Sequence, residues 1–163
     1  MKMKRRGVLH ALAALLVSGF LPLTVRAQVL AVDQVPDAVK QGFQAKFPSV
    51  KRVEWKLKSD KNYEAEFTLK GTEIAAKFDA AGKWLETESA ISRSKVPKAV
   101  RDAVAKRFKG YTVVERQSVQ RWNEEHLIYE LHLEGASEIV KAQFAVDGSI
   151  LSQAAKAKTE KGK

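Results

Sequence analysis

Chemistry in this chain has few residue types to work with. Of three histidines, His126 and His132 lie outside the N-terminal apolar run, and there is no cysteine. Disulfides, thiolate metal sites and thiol nucleophiles are therefore excluded. A serine nucleophile needs a histidine beside it and a carboxylate to orient that histidine. Ser118 and Ser137 are available, but neither sits in a nucleophile-elbow pattern. His132 alternates with Glu130 and Glu134 on the polar side of a strand, where pairing with carboxylates explains it. His126 lies six positions earlier, and the two match no established metal-ligand spacing. The turns "DAAG" and "AVDG" offer too few oxygens for calcium and suit hairpins whose glycine takes a positive φ. The expectation is a protein without catalytic residues, metal or cofactor.

Binding is the better use of what remains. Tryptophan, tyrosine and arginine dominate binding hot spots. Arg121 and Trp122 fall in "RQSVQRWNEEH", where an alternating pattern lapses into a loop, and loops on rigid scaffolds carry recognition. Trp84 is a second free aromatic unless it turns inward, since Leu85 competes for that position. Arg121, Trp122, His132 and Trp84 are the residues expected to meet a partner. A polar sheet face carrying Arg52, Glu54, Lys56, Lys58, Glu64, Glu66, Lys70, Glu73 and Lys77 is the other candidate surface. Cross-strand pairing alone also accounts for those charges, at roughly 0.2–1 kcal/mol per pair.

The elements that would position these residues come twice. "VPDAVKQGFQAKFP" (35–48) returns as "VPKAVRDAVAKRFK" (96–109). Val39, Phe43 and Phe47 recur every fourth residue after Pro36, and Val100, Val104 and Phe108 do so after Pro97. That spacing predicts two helices with one apolar stripe each, opened by proline and stopped by Pro48 and Gly110. The period then falls to two. "VKRVEWKLK", "YEAEFTLKG", "TEIAAKFDAAG" and "KWLETES" predict four strands in the first unit. "YTVVERQSVQRW", "LIYELHLEG", "EIVKAQFAVDG" and the short "SILSQ" predict four in the second.

The offset between the units grows from 61 residues at the helix to 66 at the final turn, so one loop, around "RWNEEH", is lengthened. Short connections predict antiparallel meanders. The expected fold class is α+β: two tandem helix-plus-antiparallel-meander repeats in one curved sheet of about seven or eight strands, helices on one face. A single repeat is marginal in size, so the two half-cores are expected to merge.

The ends set location and charge. "MKMKRR", an apolar run and "TVRA" form a secretory signal peptide with cleavage expected after Ala27. Arg5-Arg6 leaves general secretion and twin-arginine export both open. The expected organisation is a leader (1–27), repeats at 28–94 and 95–153, and a disordered basic tail (154–163). The chain's 29 Lys and Arg against 19 Asp and Glu look basic. Residues 28–155, however, hold twenty basic and eighteen acidic residues, so nucleic acid is not an expected partner. Stable membrane insertion is not expected either, and the predicted location is periplasmic or secreted.

"VPDAVKQGFQAKFPSVKRVEW", "YEAEFTLKGTEIAAKFDAAGKWLETE" and "VPKAVRDAVAKRF" resemble the PepSY-like, beta-lactamase-inhibitor-like exported proteins of bacteria. The resemblance spans roughly residues 33–151. It implies tandem helix-plus-sheet units in the cell envelope and a binding or inhibitory role toward a peptidase or other envelope protein. It carries no functional residue over by position. The second unit departs from the pattern: Arg116 stands where the first has Trp55, and "FAVDG" where it has "FDAAG". The alternative is a small-ligand or metal-binding periplasmic protein, favoured if a cavity opens between helix and sheet or if the histidines converge.

Overall fold

Residues 28–158 are described by the computed structural model. The expected leader and the last five residues lie outside them. The elements run β1 (Gln28–Leu30), α1 (Asp37–Lys46), β2 (Glu54–Leu57), β3 (Tyr63–Leu69), β4 (Thr72–Phe78) and β5 (Trp84–Ala90). Then come α2 (Lys98–Arg107), β6 (Thr112–Arg121), β7 (Ile128–Glu134), β8 (Glu138–Phe144) and β9 (Ile150–Ala157). A short 3-10 turn precedes each helix, at Val32–Gln34 and Arg93–Lys95. The nine strands among the described residues form one antiparallel sheet whose spatial order is the chain order.

Nine strands replace the expected seven or eight. Each repeat supplies four, and the ninth is β1, whose three residues pair with β2 and are too few to show alternation. β9 is also longer than "SILSQ": it pairs with β8 as far as Ala157, beyond the boundary expected at Gln153.

Pro36 and Pro97 cap the two helices, which end at Phe47 and Phe108. Val39 and Phe43 bury the stripe of α1. The Phe43 ring lies 5.3 Å from both Trp55 and Phe67 and 6.1 Å from Phe78, in edge-on contacts that favour aromatic pairs. Gly82 and Gly148, in the turns after β4 and β8, have φ of +81° and +85°. A Cβ there would come within 2.0 Å of the Ala38 carbonyl oxygen and 2.5 Å of that of Ala99. Each turn thus presses its backbone onto a helix, which only glycine permits.

The half-cores do not merge. One buried cluster holds Val39, Phe43, Trp55, Ala65, Phe67, Ala76 and Phe78. The other holds Val96, Val100, Leu131, Leu133, Val140, Ala142 and Phe144. The reason lies at the seam. In the β5–β6 register Thr87 faces Gln120 and Ser89 faces Ser118 on the helix side, so polar side chains part the clusters.

Candidate functional site

The sheet face away from the helices carries the second set of alternating residues. In register they are Glu54 and Lys56 on β2, Glu64 and Glu66 on β3, Lys77 on β4, and Glu86 and Glu88 on β5. Gln117, Val119 and Arg121 follow on β6, then Ile128, Glu130 and His132 on β7 and Lys141 and Gln143 on β8. A groove of about 900 Å³ crosses this face and is lined by residues from Glu54 on β2 to Lys141 on β8. The face is therefore concave.

Concavity explains why charged groups are buried on a side that no helix among the described residues covers. Glu130 is 1% exposed and Glu64 7%, and they occupy the same place in the two repeats. Val119 and Ile128, paired across β6 and β7, are buried on the same face. Such groups are stable only when paired. Lys58 reaches Glu64 at 2.9 Å. Glu130 accepts from Lys141 at 2.7 Å and from Gln143 at 2.8 Å, with His132 Nε2 at 3.3 Å. The chain of contacts continues through Gln143, whose Oε1 accepts from Arg121, and through Arg121 to Glu86 and Lys77.

These contacts set protonation. Burial pushes Glu130 and Glu86 upward, but their donors hold both carboxyls below the ordinary glutamate value. Burial likewise opposes charge on Lys77 and Lys141, yet their glutamates raise both. Glu88 differs. It lies mid-groove with no ion-pair partner among the described residues, and burial raises its carboxyl.

Of the expected partner-binding residues, the structure places Arg121 and His132 on this face. Arg121 is engaged with Glu86 and Gln143, and His132 bridges Glu115 (Nδ1, 2.6 Å) and Glu130. Trp122 begins the β6–β7 hairpin, 53% exposed, with Lys83 Nζ 3.3 Å from its ring centre. Trp84 goes elsewhere. It packs against the first core cluster, its Nε1 donates to Thr87, and Lys46 lies over its ring. His126 is exposed in the hairpin, and no three His, Asp or Glu among the described residues are placed to hold a metal. The polar alternation marks the face, but nothing in it signals that Glu64 and Glu130 are buried or that Glu130, Gln143, Arg121 and Glu86 are joined in one network.

A family model described as "Putative beta-lactamase-inhibitor-like, PepSY-like" matches residues 23–74 and 61–152. The chain belongs to this family. Two overlapping matches to one model agree with the duplicated fold. Solved structures similar to this PepSY-like chain include a DUF2874 family protein of Bacteroides uniformis (22% identity, TM-score 0.66). That match covers 74% of this chain and 88% of the other. A BLIP-like protein of Bacteroides fragilis is 21% identical, with TM-score 0.63 and coverage of 78% and 92%. A "putative periplasmic" protein of Bacteroides eggerthii is 20% identical, with TM-score 0.68 and coverage of 78% and 93%. At these identities the likeness is one of fold. No curated protein matches the chain. No helix among the described residues of the PepSY-like chain is long and apolar enough to cross a membrane.

Proposed function

We propose that this PepSY-like protein is a non-catalytic docking module of the cell envelope that binds, and thereby restrains, a peptidase or another envelope protein through its concave sheet face. The observation that carries the reading is that face. It is a pre-formed groove across most of the sheet, braced by paired charges, and the exposed Trp122 stands in the hairpin next to Arg121 of the same face. Pre-organised side chains lose little freedom on binding, which favours affinity. Beta-lactamase-inhibitor-like membership and the likeness to a BLIP-like fold support an inhibitory role. The N-terminal leader pattern and the fold shared with a "putative periplasmic" protein support the location.

The test is capture from envelope extract on immobilised protein beginning at Gln28, beside Glu88→Lys and Trp122→Ala variants. A protein retained by the parent and lost from the variants is the expected result, followed by assay of that protein's activity with the module added. Equal retention by all three, or none by any, would sink the reading.

A further inference from the structure

The duplication exposes a second site, on the opposite side of the sheet from the docking face. By the 61-residue offset, Phe43 of α1 corresponds to Val104 of α2, and Trp55 of β2 to Arg116 of β6. In the first unit both aromatics are buried, at 4% and 3% exposure, and fill the space between helix and sheet. In the second unit Val104 and Arg116 are only half-buried. Ala65 becomes Leu131 by the 66-residue offset, which returns part of the lost volume. A cavity of about 300 Å³ remains between α2 and the strands.

Its lining has two chemistries. Val96, Val104, Val113 and Leu131 make an apolar floor, and Arg93, Arg101 and Arg116 stand around it with no carboxylate in the lining. None of these arginines is ion-paired among the described residues. Arg101 donates to the Val96 carbonyl and Arg116 to that of Val113, which orients both side chains. A guanidinium has five donors, so most remain free for a ligand. Three cations around one apolar cavity repel one another unless an anion joins them. Carboxylates suit arginine's planar fork. An engineered apolar cavity of about 150 Å³ accepts benzene, so this one has room for a ring or branched aliphatic group with its acid.

We propose that the cavity binds a small carboxylate bearing a single apolar group, with the acid held by Arg93, Arg101 and Arg116 and the apolar group on the valine–leucine floor. A free aryl or branched-chain acid and the C-terminal residue of a peptide share this chemistry. The site is independent of the docking reading, and neither depends on the other.

Calorimetric titration of the protein from Gln28 onward tests it, with 3-phenylpropionate, 3-phenylpropionamide, inorganic phosphate and Gly-Gly-Phe as probes. The acid is expected to bind about tenfold or more tightly than its amide, because the charge-assisted hydrogen bonds are lost. Phosphate should bind more weakly than the acid for want of an apolar group. Arg116→Trp, which installs the first unit's own filler, should abolish binding while the thermal midpoint confirms a folded chain. Arg93→Gln alters an exposed side chain and should weaken binding without touching the fold. Tighter binding of 3-phenylpropionate than Gly-Gly-Phe would assign a free acid, and the reverse a peptide terminus; both support the site. Equal binding of acid and amide, undiminished binding in folded Arg116→Trp, or no binding of either carboxylate would overturn it.

Discussion

Glu88 and Glu130 sit on one concave face yet should respond to acid in opposite senses. Glu130 is held below the ordinary glutamate value in the folded chain, so its contribution is present above the unfolded value. It is lost as pH falls through the folded one. Glu130→Gln should therefore lower stability at neutral pH, by about 1–3 kcal/mol for a disrupted buried hydrogen-bond cluster, with the deficit closing in acid. Glu88 is raised by burial, so stability is lost as pH climbs from the unfolded value through the folded one. Glu88→Gln should raise the thermal midpoint at neutral pH, and the gain should vanish below about pH 4.5, near the unfolded carboxyl value. Melting curves of both variants between pH 4 and 8 check the pair. Alternation placed His132 on a polar surface, whereas Arg121, expected in the lengthened hairpin, is instead the last residue of β6, opposite Glu86. Alternation could not tell a solvated face from a hollow one, because period two reports a side of the strand and not the curvature of the sheet.

Two turns do equivalent work in the two repeats. Gly82 and Gly148 combine positive φ with backbone contact to the helix above, so Gly148→Ala meets both strain and a clash. A cost of about 1–3 kcal/mol is expected from strain alone, read as a lower urea midpoint. The tryptophans separate by element in the same assay. Trp55→Ala empties the space beneath α1 and should cost about 3–5 kcal/mol. Trp122→Ala should cost no more than about 1 kcal/mol, the worth of an exposed cation–π contact with Lys83. Both helices and eight of the strands were legible because apolar spacing and turn glycines recur at fixed offsets. Trp84 was not, because Trp84 and Leu85 stand side by side at the register shift after Lys77, where strict alternation fails.

The molecule is one sheet over two cores. Phe43→Ala should raise amide exchange in β2–β4 well before β7–β8, since the Thr87, Ser89, Ser118 and Gln120 seam passes little packing between the halves. Equal acceleration throughout would mean the backbone ladder alone couples them. Domain size argued for a merged core, and only the register at the seam reveals four polar side chains where apolar ones were needed. Strand order that follows chain order has a further consequence for synthesis and delivery. A chain emerging N-terminus first, from a ribosome or a translocation pore, always presents each new strand to a partner already in place. The first half can close over its own helix while the second is still threading. Assembly of this kind is vectorial, with no strand edge waiting for a distant stretch of chain.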